Sequence, residues 1–352
     1  MADDRVGTSQ RSMRLTIDRF GNGYHTFAWC DGSRPLVAVG GTLLSAPMSS
    51  RRVDPYAVLS GRSVDAGLAV DGPHPWSGLD TADVFPGLMV MHPHYDTRPI
   101  GPRASDPATL DGFVDALLSW AGDHGCRAVS LLYQTVAATP LLTSFAAITG
   151  AAVVPLSTSC VLDVDWTDVD GYLSRFSYKR RTAIRRELRW LAERGVRIAE
   201  EDLDGVGPEL VGLRCALVAR YGGNPDRAKE ERLVHQVRET FHPSELCLVT
   251  ARAAGRLVNF MLFIREGDEW SAFLTGTDYD SDAARFAYFA TGFYHPAALV
   301  PAAGIRRIHY GFGSWEAKRQ RGCRSEPVWA AGARLAVAPR PSPVPKGVAP
   351  NA

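Results

Sequence analysis

Residues 304–329, GIRRIHYGFGSWEAKRQRGCRSEPVW, are the most informative stretch of this chain. After a helix stop at Gly304, residues 305–310 alternate between apolar and polar side chains, as in a strand. Gly311 and Gly313 then make a corner at which the backbone can turn tightly and a ligand can come close. Four cations follow: Lys318, Arg319, Arg321 and Arg324. Cations in this place suit a phosphate or a developing oxyanion. A solvated basic loop is the alternative.

Length and charge set the frame for the rest of the chain. Its 352 residues are too many for one typical core and fit two domains. The 39 basic and 38 acidic residues give a net charge of +1, so any polyanion must meet a local patch. No apolar run approaches the roughly 18 residues that span a bilayer, and the polar N-terminus lacks the apolar core of a signal peptide. We therefore expect a cytoplasmic protein with no membrane contact.

The predicted elements alternate between helices and strands, which is typical of mixed sheets covered by helices. The first half contains helices over residues 106–124 and 139–148, among short apolar strands. The second half contains a helical segment over residues 168–194, either one long helix or two joined near Ser177. Two further helices and an antiparallel meander over 245–277 come next. A helix over 283–299 and a strand over 306–312 follow. The sequence predicts an α/β fold, with mixed α+β sheets.

A strongly basic helix lies at the start of the second half. Its cations are Arg175, Lys179, Arg180, Arg181, Arg185, Arg186, Arg189, Arg194 and Arg197. Arg181, Arg185 and Arg189 are spaced at i, i+4 and i+8, so they form a stripe beside the apolar face. Only two glutamates interrupt the charge, too few for pairing within the helix to neutralise it. The stripe is interpreted as a phosphate track, with a solvated helix face as the alternative.

Metal and thiol chemistry are weakly supported. The six cysteines are scattered without a CxxC pair, which argues against a zinc site or a disulfide framework. Cys323 is the exception, because its arginine neighbours would favour a thiolate. His92, His94 and Asp96 would share one side of an extended segment, as metal ligands do, but Thr97 stands where a closing His is needed. We expect no metal site and no cofactor.

Four passages of the second half resemble the Fem-like N-acyltransferases of the GNAT superfamily. They are FSYKRRTAIRRELRWLAERGVRI at 176–198, LCLVTARAAGRLVNFMLFI at 246–264, SAFLTGTDYDSDAARFAYFATGFYHPAA at 271–298, and the stretch at 304–329 with its Lys318. The resemblance implies two tandem GNAT-like acyltransferase domains. We expect an N-terminal GNAT-like domain over 1–160, a catalytic one over 161–334, and a Pro-rich disordered tail over 335–352.

The resemblance also implies an amide-forming acyl transfer, with either aminoacyl-tRNA or acyl-CoA as the donor. A CoA-dependent member usually carries a Gly-rich pyrophosphate loop, and residues 275–289, TGTDYDSDAARFAYF, have none. Missing glycines there remove the backbone nest that holds a pyrophosphate. We therefore expect aminoacyl-tRNA as the donor and a small-molecule or peptide amine as the acceptor. Acyl-CoA is the second choice, and a non-catalytic RNA- or protein-binding unit is the third.

The expected site residues fall into three groups. Lys318, by the resemblance, holds the donor phosphate or stabilises the oxyanion, while Asp278 and Tyr279, at the exit of the central strand, orient the amine or accept its proton. Helix capping is the alternative for Asp278. The expected donor-binding residues are Lys179, Arg181, Arg185, Arg189, Arg319 and Arg321. The expected acceptor-binding residues are His94, Tyr95, Asp96, Arg98, Tyr310, Ser314 and Trp315, placed between the domains because ligand sites favour domain junctions.

Overall fold

A computed structural model describes residues 23–48, 50–62, 74–92 and 97–336. The alternating and fully apolar runs of these residues form eleven strands of one mixed sheet. The strands are β1 Tyr24–Asp31, β2 Arg34–Leu44, β3 Gly87–Val90, β4 Ala128–Gln134, β5 Val153–Asp163, β6 Val196–Glu201, β7 Leu246–Ala253, β8 Arg256–Glu266, β9 Glu269–Thr277, β10 Arg307–Gly311 and β11 Arg324–Arg334. The predicted mixed α/β class is confirmed, including the meander of β7, β8 and β9.

Helices cover both faces of the sheet. They are α1 Pro55–Leu59, α2 Thr81–Val84, α3 Pro107–Asp123, α4 Thr139–Thr149, α5 Val169–Ser174, α6 Tyr178–Glu193, α7 Leu203–Arg220, α8 Arg227–Thr240, α9 Ala287–Phe289, α10 Pro296–Leu299 and α11 Trp315–Arg319. The segment predicted over 168–194 is two helices, because Ser177 begins α6 by accepting a hydrogen bond from the Arg180 backbone N–H. In the second half, α5 and α6 pack on one face and α7 and α8 on the other.

The helix predicted over 283–299 is not continuous. A 3-10 turn at Asp282–Ala284 and the short α9 lead into a π-helical turn at Ala290–Tyr294, and α10 follows. Pro296 explains the break, because it has no N–H with which to continue the helical hydrogen bonds. The turn is held to β10 by the Tyr310 hydroxyl, which donates to the Gly292 carbonyl at 2.5 Å.

The order of the strands across the sheet is β1-β2-β3-β4-β11-β5-β10-β9-β8-β7-β6, and its two halves are arranged alike. Each half has an antiparallel meander and one parallel pair, β3 with β4 and β9 with β10. The halves exchange strands at the centre. The last strand, β11, pairs with β4 and β5 of the first half, and β5 pairs with β10 of the second. The predicted domain boundary at 160/161 falls inside β5; the division into domains stays a prediction.

Candidate active site

Strands β9 and β10 separate at the centre of the second half. Their parallel pairing joins Glu269–Ser271 to residues 307–309 and ends there. Because β9 continues to Thr277, the two strands diverge, and a cavity of about 1100 Å³ opens between them. In the first half, the parallel pairing of β3 with β4 is followed by a parallel bridge between Thr97 and Gln134 of β4.

The first half of the chain closes the far side of this cavity. Arg52, Arg98 and Tyr133 lie in its wall. The Tyr133 hydroxyl donates to the Arg52 carbonyl at 2.6 Å, and its ring centroid lies 5.0 Å from that of Phe312. Tyr133 has a φ of 53°, which is strained for a side chain of this size. Residues of both halves thus line the cavity. Its use as the acceptor cleft stays a prediction.

The cavity wall is cationic. Its positive side chains are Arg52, Arg98, Arg214, Arg285, Arg307, Lys318 and Arg324, against the carboxylates of Asp278 and Glu326. Three of these cations have acids outside the lining as neighbours, at 3.0 Å for Arg214 and Glu230, 2.9 Å for Arg307 and Glu269, and 2.5 Å for Arg324 and Asp163. Arg285 is exposed, and its guanidinium carbon lies 5.3 Å from the centroid of the Phe286 ring. A concave, positive wall attracts an anionic ligand.

His309 and Glu269 form a hydrogen-bonded pair where the strands begin to diverge. The distance between Nε2 of His309 and Oε2 of Glu269 is 2.9 Å, and Nη1 of Arg307 donates to the other carboxylate oxygen at 2.9 Å. Glu269 is 7% exposed, while His309 lines the cavity. A carboxylate can only accept, so it favours the proton on Nε2 and leaves the Nδ1 lone pair of His309 available.

Lys318 is buried beneath the glycine corner. It is 3% exposed, and its Nζ donates to the carbonyls of Tyr310 at 2.7 Å, Gly311 at 3.3 Å and Phe312 at 2.7 Å. Three acceptors match the three hydrogens of an ammonium. Burial lowers the pKa of Lys318 to about 8. The sequence predicts a direct role on the donor, whereas this geometry gives Lys318 the task of holding the corner.

The corner itself has the backbone that its glycines indicate. Gly311, Gly313 and Ser314 have φ values of 60°, 74° and 47°, in the region that disfavours most side chains. Ser314 precedes α11, which carries Lys318 back under the carbonyls. The corner is therefore shaped by its backbone and fixed by one buried cation.

The turn after β9 has little capacity for a pyrophosphate. The backbone N–H of Asp280 donates to Oδ1 of Asp278, and those of Ser281, Ala284 and Arg285 donate within the turn. Oδ2 of Asp278 lies 3.1 Å from Nη2 of Arg256. Asp278 and Tyr279 both line the cavity, but the Asp278 carboxylate is occupied in capping the turn. Their predicted catalytic roles stay predictions.

The predicted acceptor residues are partly brought together. Arg98, Tyr310 and Ser314 line the cavity. Trp315 lies outside the lining, under the Arg319 guanidinium at 5.5 Å from its ring centroid. His94, Tyr95 and Asp96 fall outside the described residues.

Helix α6 does not border the cavity. Lys179, Arg185 and Arg189 are exposed on its outer face, while the guanidinium of Arg181 donates to the Phe176 carbonyl at 2.6 Å. Its N-terminal end is attached to the residue after α11, because Nε of Arg180 donates to the Gln320 carbonyl at 2.9 Å. The stripe thus lies on the surface next to the 314–320 segment.

Arg321 requires a correction. Its Nη2 lies 3.2 Å from Oε2 of Glu187, its Nε donates to the Tyr294 hydroxyl at 3.2 Å, and its Nη1 donates to the Ala317 carbonyl at 2.8 Å. The residue is 3% exposed. A guanidinium buried and occupied in this way is unavailable to phosphate. Arg321 instead attaches α6 to the π-helical turn through Glu187, which is itself buried.

The thiol alternative loses support in the structure, whereas His94 and Asp96 of the metal motif lie outside the described residues. Cys323 is buried, and burial raises the pKa of its thiol, so the expected thiolate does not form. Within residues 23–48, 50–62, 74–92 and 97–336, no cluster of three or more metal-ligating side chains occurs. The same ranges contain no helix long and apolar enough to cross a membrane.

Two cavity residues, His309 and Arg285, are not predicted from the sequence. Alternation along β10 places Arg307 and His309 on the side opposite Ile308, which is a usable signal. The alternation does not identify the partner of His309. Glu269 lies 40 residues earlier in the chain, and the parallel pairing of β9 and β10 brings its carboxylate within hydrogen-bonding distance of His309.

Comparison with known families and structures agrees with this architecture. Residues 178–319 match the family model described as an acetyltransferase (GNAT) domain. Among proteins with curated descriptions, none is significantly similar in sequence.

Three solved structures share the fold along nearly the whole chain. FemX has a TM-score of 0.57 and 10% identity, covering 92% of this chain and 91% of its own. The C-terminal domain of a putative lysylphosphatidylglycerol synthetase from Agrobacterium fabrum has a TM-score of 0.54 and 12% identity, covering 92% of this chain and 90% of its own. A tandem GNAT protein from the clavulanic acid biosynthesis pathway has a TM-score of 0.53 and 12% identity, covering 96% of this chain and 91% of its own. At such identities the likeness establishes the tandem GNAT fold.

Proposed function

We propose that this chain is an acyltransferase of the GNAT superfamily on a Fem-like tandem fold. In this proposal it transfers an aminoacyl group from aminoacyl-tRNA to an amine. The acceptor is a small molecule or a peptide precursor. One observation supports this most: a cationic cavity at the divergence of β9 and β10 holds the His309–Glu269 pair. Cationic walls suit a polyanionic donor, and a neutral imidazole suits the proton of an attacking amine.

The chemistry requires one bond to form and one to break. The amine nitrogen attacks the ester carbonyl carbon, and the C–N bond forms as the amine proton passes to Nδ1 of His309. Collapse of the tetrahedral intermediate breaks the acyl C–O bond, and His309 returns the proton to the leaving oxygen. Glu269 stabilises the imidazolium between these two transfers. Positioning in the cavity supplies much of the remaining acceleration, because an aminoacyl ester is already activated.

The choice of donor rests on the turn after β9 and on surface charge. Backbone N–H groups of the turn are used internally, and Asp278, Asp280 and Asp282 make it acidic. A pyrophosphate would find neither a nest nor a favourable field there. The Fem-like resemblance implies aminoacyl-tRNA, and the exposed cations of α6 offer contacts for RNA outside the cavity.

Acyl-CoA is the alternative donor, favoured by the acetyltransferase description of the matching family model. If aminoacyl-tRNA is the donor, RNase treatment should abolish product formation. Added salt should also lower the donor affinity steeply, since phosphate contacts release counterions. Product formation is measured by mass spectrometry with total aminoacylated tRNA and, in parallel, with acetyl-CoA. Turnover with acetyl-CoA that RNase leaves unchanged would replace the first donor by the second.

The outer face of α6 gives a second test. Replacing Lys179, Arg185 and Arg189 together by Gln should flatten the plot of log affinity for tRNA against log salt by about 2, at roughly 0.7–0.9 per phosphate contact. Stability should change little, because exposed charges contribute weakly. The matched control removes Arg34, Arg103 and Arg127, which are exposed on the first half. Equal slopes for both triple variants would contradict a tRNA contact on α6.

A further inference from the structure

Two exposed tyrosines stand at the mouth of the cavity. Tyr221, directly after α7, is 65% exposed, and Tyr279, in the turn after β9, is 44% exposed. Both line the cavity. Because two exposed aromatic rings share one cavity wall, a ligand that enters the cavity can pack on both.

Each ring already has an arginine beside it. The guanidinium carbon of Arg52 lies 5.5 Å from the Tyr221 ring centroid, and that of Arg220 lies 5.5 Å from the Tyr279 ring centroid. Arg52 comes from the first half and the other three residues from the second, so the group spans the cavity mouth. Phenol rings and guanidinium planes are the surfaces on which nucleobases stack.

The two rings share the cavity wall with residues further inside the fold. Burial, and after it the neighbouring Tyr221 phenol, raise the pKa of Tyr279. Tyr288 lines the same cavity. Arg285 lies six residues beyond Tyr279 and is exposed in the same wall. A ligand that stacks at the mouth therefore has a cation within the cavity to meet its phosphate.

We infer that Tyr221 and Tyr279, with Arg52 and Arg220, form a stacking site for the nucleobase at the end of the acyl donor. The inference rests on the proposed acyl transfer and specifies how the donor is held. The chemistry recognised is an adenosine phosphate, which is shared by the 3′ end of aminoacyl-tRNA and by CoA. Stacking fixes the base outside the cavity and directs the acyl end toward His309.

Binding of adenosine 5′-monophosphate to the full-length protein tests the site without acyl transfer. Calorimetry should give an affinity for adenosine 5′-monophosphate at least fivefold above that for ribose 5-phosphate, since one stacked base contributes from about fivefold to over a hundredfold. Tyr221→Ala and Tyr279→Ala should each remove most of this difference. Tyr221→Phe and Tyr279→Phe should keep it, because stacking needs the ring and not the hydroxyl. Trp29→Ala, at an exposed aromatic of the edge strand β1, is the matched control and should behave as wild type.

Equal affinities for the two ligands, or alanine variants that bind like the control, would overturn the site. Two further ligands separate the donors: a trinucleotide ending in CCA, and CoA. Weakened binding of the trinucleotide in the alanine variants assigns the site to tRNA, and weakened binding of CoA assigns it to acyl-CoA. If acyl transfer proves absent while the tyrosines still govern adenosine 5′-monophosphate binding, the stacking site stands and the proposed function falls. If transfer occurs with an unchanged donor KM in both alanine variants, the proposed function stands and the stacking site falls.

Discussion

His309→Ala should lower kcat by about 100-fold or more while the protein stays folded. General base catalysis by a positioned imidazole contributes roughly 10²–10⁴-fold, and His309 is the cavity imidazole held by Glu269 at 2.9 Å. Added imidazole should restore part of the rate, because the deleted side chain leaves room beside the acceptor amine.

A matched control for this variant exists on the other side of the sheet. Nε2 of His295 lies 3.0 Å from Oε1 of Glu200, the same kind of pair, and His295 is outside the cavity lining. His295→Ala should keep the wild-type kcat. If His309→Ala also keeps it, the amine proton leaves by another route, and the assignment of His309 as the base is wrong.

Lys318→Ala should lower turnover and stability together. The substitution leaves the carbonyls of Tyr310, Gly311 and Phe312 without their shared donor. Each carbonyl left unsatisfied costs about 1–3 kcal/mol, so a loss of roughly 3 kcal/mol of unfolding free energy is expected even after partial relaxation. The corner would shift, and with it the cavity wall formed by Phe312 and Ser314. Lost turnover at unchanged stability would instead point to direct contact with the donor.

The pH dependence of stability gives Lys318 its own signature. Its folded-state pKa is about 8, below the value near 10.4 of an unfolded lysine. Between these values the unfolded chain binds the extra proton, so the free energy of unfolding rises with pH in this window and the gain is lost as pH falls to 8. Relative to Lys318→Met, the wild type should gain about 1 kcal/mol per pH unit from pH 8 to 10. Parallel curves from denaturant titrations would exclude the depressed pKa.

The elements whose apolar spacing, turns and caps lie within their own sequence are predicted correctly. The meander of β7, β8 and β9 follows from apolar runs and tight turns, and α6 follows from its apolar spacing and Ser177 cap. The final strand, β11, was missed. It contains Pro327, and its Ala-rich, Gly-containing sequence gives little alternation, although it lies between β4 and β5 near the centre of the sheet. Its place depends on partners that are far away in sequence.

The site was predictable where it depends on backbone shape and not where it depends on burial. Gly311 and Gly313 adopt the positive φ values that a glycine corner indicates. Lys318 and Arg321 are both cations after that corner, and the sequence gives no sign that each is only 3% exposed. The buried charge of Arg321 is compensated by Glu187, and that of Lys318 by the three carbonyls that accept its hydrogen bonds. Charge in a sequence thus indicates a site more reliably than it indicates which cation meets the ligand.

The exchange of strands at the centre of the sheet has a consequence for synthesis on the ribosome. Strands β4 and β5 are complete when residue 163 is made, but the strand that lies between them ends at residue 334. At 5–20 residues per second, the first half waits about 10–35 s for its missing neighbour. For most of that time one edge of β4 and both edges of β5 are open to pairing with other chains, because β10, the other neighbour of β5, is also made later. The order of translation thus exposes, during synthesis, strand edges that the finished sheet covers completely.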